Sequence, residues 1–310
     1  MIRQTISMKS ATVMPIFKGI WIPMVTPFRA GVVDVDAAQR LAVRLVDQGV
    51  HGLVVCGTTG EAALLDDEEQ ITLLSAVQEA VGLRCPVFMG LSGSDTRAMT
   101  KKVTCFDQVG AAGFLISPPS YIRPSQQGLI LHFQALAEAT ERPIILYDIP
   151  ARTGVELELS TVLTLAENPQ FVAIKKCGGH SLQVAELINQ TSLNVLSGDD
   201  ASLFTTLCLG GQGAISAAAH IRPDLFIQVF QWVQMGQIEQ ARAVFNALLP
   251  LIKLLFSEPN PSPVKAALAL QGHIQEELRL PMLPMSTEGK DKLRIVLDQV
   301  MNIPVLLNNN

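Results

Sequence analysis

Eight short apolar runs, each followed by a longer stretch with helical periodicity, divide the first two-thirds of this chain. They read GIWIPMV (19–25), HGLVVCG (51–57), PVFMG (86–90), AGFLIS (112–117), PIILY (143–147), FVAIK (171–175), LNVLS (193–197) and GAIS (213–216). The runs are continuous rather than alternating, as strands are when both faces of a parallel sheet are covered. Helix-start signals lie between them. Asp34 or Asp36 is placed to cap DVDAAQRLAVRLVDQG, and the acidic turn Asp66, Asp67, Glu68 opens the next helical stretch. The pattern predicts an α/β protein, a (β/α)8 TIM barrel with an α-helical C-terminal appendix. A doubly wound open sheet is the alternative, and the missing G-x-G-x-x-G after the first run counts against it. After Ile221 only helical segments follow. The expected division is an N-terminal extension over 1–16, the barrel over 17–235 and a helical region over 236–310.

Composition narrows the partners. With 48% hydrophobic and 16% charged residues, the 310-residue chain has material for a large core. A net charge of −5 argues against a nucleic-acid surface or a polybasic membrane surface. No apolar run reaches the length of a membrane span. MIRQTISMKSATVMPIFKG does not read as a signal peptide. Five cysteines without C-x-x-C suit reduced thiols and a cytoplasmic location. Five histidines without H-x-H or H-E-x-x-H spacing leave a metal site unsupported. The low charge leaves apolar surface to hide, which points to an oligomer.

In a barrel, reactive groups gather where strands end and in the loops just beyond. FVAIKKCGG carries Lys175 at such an end, where burial would disfavour the ammonium and the neighbouring cation Lys176 would push the same way. With Phe171, Ala173 and Lys175 on one face, the amine would project into a partly dry pocket as a Schiff-base lysine. Read alone, a strand ending in solvated lysines fits equally well. The only two tyrosines, Tyr121 and Tyr147, both stand beside prolines at strand ends, where a phenol could shuttle protons. Thr58 and Thr59 lie in the Gly-flanked GTTGE, where hydroxyls and N–H groups can converge on a carboxylate, although a tight turn explains the same pentapeptide. Arg152 offers a bidentate fork for a second carboxylate, or a plain surface charge. Asp199 and Asp200 would repel phosphate, and are expected to cap the next helix.

These residues resemble those of the dihydrodipicolinate synthase/N-acetylneuraminate lyase family of pyruvate-dependent (β/α)8 lyases. The likeness runs from about Phe17 to about Gln299. It rests on GTTGE, on the Y-x-x-P-x-R-T-G of Tyr147 to Gly154, and on Lys175, 28 positions after Tyr147. RPSQQG, LSGDDAS, EPNPSPVKAAL and LRLPMLPMS look closest to the synthase branch, which condenses pyruvate with L-aspartate 4-semialdehyde, rather than to sugar-acid aldolases. The resemblance implies that Lys175 forms an imine with pyruvate and that Tyr147 shuttles protons, relayed through Thr59 to Tyr121 of a neighbouring subunit. It implies that Thr58 and Thr59 hold the pyruvate carboxylate, that Arg152 receives the aldehyde's carboxylate, and that the Ile215 carbonyl lies near the amine. No metal or organic cofactor is implied, and a homotetramer, a dimer of dimers, is. Three positions depart from the family pattern: Lys176 replaces a usual Glu, Asp148 a usual Asn, and Ser120-Tyr121-Ile122 a usual Tyr-Tyr-Asn. A paralogue acting on a sugar-derived 2-oxo acid is the main alternative, and a non-catalytic oxo-acid binder is a third reading.

Overall fold

The computed structural model of the protein describes residues 17–305. The expected N-terminal extension lies outside the described residues. Eight parallel strands form the barrel: β1 (Gly19–Pro23), β2 (Gly52–Val55), β3 (Val87–Leu91), β4 (Phe114–Ile116), β5 (Ile144–Asp148), β6 (Phe171–Lys176), β7 (Asn194–Ser197) and β8 (Gly213–Ile215). Each pairs with the next, and β8 closes on β1 with Trp21 beside Ile215. The closed barrel excludes the open sheet. Several strands stop short of the apolar run that marked them. The run expected over 51–57 ends at Val55 because Cys56, at φ 54°, turns the chain into the mouth loop.

Helices form where caps and periodicity place them. Asp34, not Asp36, caps the helix Val35–Asp47 by accepting from Ala37 N at 3.0 Å. Asp66 and Glu69 form a capping box on Asp67–Val81, satisfying N–H groups that the first turn leaves free. A small hairpin, Phe28–Arg29 against Val32–Val33, follows β1 and carries too little periodicity to be read from sequence. The helices Ile238–Leu255, Ser262–Leu270 and Thr287–Met301 share one continuous apolar cluster with the barrel helices, including Leu41, Leu248, Val264 and Leu293. Among the described residues no helix is long and apolar enough to cross a membrane.

A second cluster fills the barrel itself, with Val54, Leu115, Ile145, Ala173, Leu196 and Ile215 facing inward. Near the strand starts Phe17, Trp21 and Phe88 pack ring against ring, with centroids 5.1–5.6 Å apart. Glycines make room for them. A Cβ on Gly52 would lie 2.1 Å from the Trp21 ring, and one on Gly113 would lie 2.3 Å from Phe88. Phe171 does not share a face with Ala173 and Lys175. The β5–β6 register slips between Ile144 and Ile145, which turns Phe171 outward against Phe133. From Ala173 onward alternation holds and brings Lys175 inside.

Candidate active site

The strand ends surround a cavity of about 520 Å³, lined among others by Thr58, Thr59, Tyr147, Arg152, Lys175 and Ile215. Six of the seven residues singled out in the sequence therefore meet in one place. The seventh, Tyr121, does not line it. Its side chain is 92% exposed and its backbone holds φ 73°, an uncommon conformation for an aromatic residue.

Lys175 and Tyr147 are register partners on β6 and β5, so the sheet itself sets them side by side. The Lys175 Nζ lies 4.2 Å from the centroid of the Tyr147 ring, and both side chains are buried. Burial works against the ammonium of Lys175, while Tyr147, Cys177 and Asp200 favour it to the extent that they carry negative charge. Burial pushes the Tyr147 phenol up, against the pull of Lys175. The sequence leads one to expect a further push on the amine from the cation at Lys176. Lys176 exerts no such pressure, because its own Nζ turns out of the barrel and is neutralised by Asp148 and Glu156, each at 2.6 Å.

The GTTGE turn spreads its hydroxyls. Thr58 faces the Tyr147 phenol and favours its ionised form, against the push of burial. Thr59 Oγ1 instead accepts from Asn260 Nδ2 at 3.0 Å. Successive side chains of the turn thus face different partners, Thr58 toward Tyr147 and Thr59 toward Asn260. The motif's Glu61 is buried and ion-paired with Lys265, a fully buried residue of Ser262–Leu270 whose Nζ also donates to Glu277 O at 2.7 Å. That Nζ sits 4.2 Å above the Phe28 ring, and burial lowers the Lys265 pKa against the pull of Glu61.

Asn260, Asp200 and Cys177 are among the lining residues to which sequence reasoning gave no part in the site. Asp199 and Asp200 do not cap the following helix, as expected of them. Asp199 accepts from Gly178 N at 2.6 Å, whereas Asp200 is buried and accepts from Ser216 Oγ and, at 2.8 Å, from Ala218 N. Asp200 thereby pins the turn just after Ile215, and burial pushes its carboxyl above the usual range. Cys177 stays a thiol, its pKa pushed up to about 12 by burial. A second cavity of about 380 Å³ adjoins the first through Thr58, Tyr147, Arg152 and Asn260, and reaches Ser117 and Ser120.

The departures Lys176 and Asp148 lie outside both cavities, so they leave the lining unchanged.

Comparison with known proteins agrees with this geometry. The dihydrodipicolinate synthetase family model matches residues 16–300. The 4-hydroxy-tetrahydrodipicolinate synthase of Thermodesulfovibrio yellowstonii is 43% identical over 286 residues, 91% of this chain and 97% of the relative. The corresponding Halalkalibacterium halodurans protein, 4-hydroxy-tetrahydrodipicolinate synthase 1, is 40% identical, covering 90% and 96%. The crystal structure of dihydrodipicolinate synthase from Thermotoga maritima superposes with a TM-score of 0.90 at 35% identity, covering 92% and 99% of the two chains. With the family model spanning nearly the whole barrel and its helical continuation, the chain belongs to the dihydrodipicolinate synthetase family.

Proposed function

We propose that this protein condenses pyruvate with L-aspartate 4-semialdehyde to 4-hydroxy-tetrahydrodipicolinate through an imine on Lys175. The observation that carries the reading is the buried amine of Lys175 against Tyr147, in a cavity also lined by Thr58, Thr59 and Arg152. The neutral amine attacks the keto carbon of pyruvate, and the carbinolamine loses water to give the imine. Loss of a methyl proton gives an enamine, whose carbon attacks the aldehyde. The amino group of the semialdehyde then displaces Lys175 as the ring closes, so one water leaves overall and the lysine returns free. Because the imine is the electron sink, the reaction calls for neither metal nor organic cofactor. Thr58 and Thr59 hold the pyruvate carboxylate, Arg152 receives that of the aldehyde, and the Ile215 carbonyl faces the amine. Tyr147 moves protons during carbinolamine formation and collapse, with Thr58 as its hydroxyl neighbour. Incubation with pyruvate and a panel of aldehydes, followed by mass spectrometry, tests the assignment. L-Aspartate 4-semialdehyde should give a product of the summed mass less one water. Turnover of sugar-derived aldehydes alone would make the protein an aldolase of the same family.

The reading extends to a homotetramer, a dimer of dimers, in which Tyr121 enters a neighbour's site. Its exposure, its positive φ and the second cavity beside Thr58 and Tyr147 support this. Tyr121→Phe is expected to lower kcat on the order of a hundredfold, the worth of a proton shuttle, while pyruvate trapping persists. Mixing it with Lys175→Ala should restore part of the rate, because one kind of site then holds both intact groups. A monomer with full activity at assay concentration contradicts the arrangement.

A further inference from the structure

Two of the positions that depart from the family pattern face each other. Asp148 and Lys176 are register partners on β5 and β6, one residue beyond Tyr147 and Lys175. Alternation along a strand sends them to the opposite face, so the pair stands directly behind the reactive pair. Both side chains are almost fully buried. Such a pair is weak evidence for stability, since desolvation offsets most of its attraction. Its connections are more informative. Asp148 Oδ2 accepts from Lys176 Nζ at 2.6 Å, and its Oδ1 accepts from Leu157 N at 3.1 Å. The same Nζ donates to Glu156 Oε1 at 2.6 Å, which also receives Gln183 Nε2 at 3.3 Å. From the other side Gln126 grips this segment, donating to Glu156 O at 2.9 Å and accepting from Glu158 N at 3.2 Å. The segment so fixed ends the loop after β5, whose short helix Pro150–Thr153 carries Arg152. One residue after Arg152, the Thr153 carbonyl accepts from Tyr121 N at 3.2 Å.

We propose that Lys176, through Asp148 and Glu156, is a positioning residue for the aldehyde half of the site, setting where Arg152 and the Tyr121 backbone stand relative to Lys175. The proposal rests on the reading of Arg152 as the carboxylate anchor. Lys176 touches neither cavity of the site, so it acts through the loop and not on substrate. The ammonium joins β6 to two carboxylates that flank the loop. Remove it, and the loop keeps its Gln126 contacts but loses its tie to the strand that bears the imine.

Glu156→Gln is the direct test, because Glu156 is only half-buried and the variant should fold. The KM for the aldehyde should rise about tenfold, a displacement-sized effect, with pyruvate KM within twofold and the rate of borohydride trapping unchanged. Lys176→Gln alone would strand the Asp148 carboxylate, so Asp148→Asn/Lys176→Gln is the second variant. It should show the same rise in aldehyde KM, and adding Glu156→Gln to it should change nothing further, as for residues acting as one unit. Lowered thermal stability with an unchanged aldehyde KM, or effects that simply multiply, would overturn the proposal. Absence of a pyruvate adduct in the unsubstituted protein would instead sink the imine reading, so the two failures are distinguishable.

Discussion

Lys175→Ala, incubated with pyruvate and borohydride, is expected to gain no pyruvyl mass and to condense no faster than the uncatalysed mixture. The unsubstituted protein should gain one reduced pyruvyl group, located on Lys175 by fragmentation of the peptide that also contains Lys176. Among the described residues no other lysine lines the cavity. Lys176 is the nearest in sequence, but its Nζ is held outside the barrel by two carboxylates. The amine of Lys175 lines the cavity, is buried, and attacks only in its neutral form. The rate of adduct formation should therefore climb as pH rises above neutrality, because only the neutral amine attacks the keto carbon. Trapping of pyruvate by Lys175→Ala would remove the assignment outright.

Lys265→Met carries the largest expected cost in stability. Glu61 and Lys265 are both almost wholly buried, and Glu61 holds φ 55° at the end of the GTTGE turn. Removing the ammonium leaves a carboxylate without its counter-charge in a dry setting, a loss of about 3–5 kcal/mol from a total that rarely exceeds about 15 kcal/mol. The damage also reaches the site, because Thr58 and Thr59 are the residues just before the Gly60–Glu61 corner. Urea unfolding should show the midpoint falling sharply, and the folded fraction should bind pyruvate more weakly. Glu61→Gln/Lys265→Met should recover much of the stability, since no charge is then buried alone. Equal midpoints for Lys265→Met and the unsubstituted protein would mean that water reaches Glu61.

The barrel and six residues of the lining were legible in the sequence, and the reason is local. Continuous apolar runs ending in Gly, Pro or charged residues mark buried parallel strands whatever lies beside them. The barrel rule then puts Lys175, Tyr147, Thr58, Thr59, Arg152 and Ile215 at one end. Contacts made across long stretches of chain left no such mark. Asn260 meets Thr59 across 201 residues, and nothing periodic announces it. Asp200 looked like a helix cap because an acidic residue before a helix usually is one, whereas here the turn after β8 offers it better donors. The Asp148–Lys176 pair did leave a trace. Parallel strands keep a constant offset, so a tyrosine paired with a lysine 28 positions on requires the next two residues to pair as well. Lys176 does not press on Lys175, because its side chain points out of the barrel toward two carboxylates, a direction that its charge alone does not announce.

The three aromatic rings packed at the strand starts give the barrel a closed floor. On the proposed chemistry, both substrates therefore reach Lys175 from the strand-end side, where Arg152 lines the cavity. Pyruvate must form its imine before the larger partner settles above it, so an excess of aldehyde should slow imine formation.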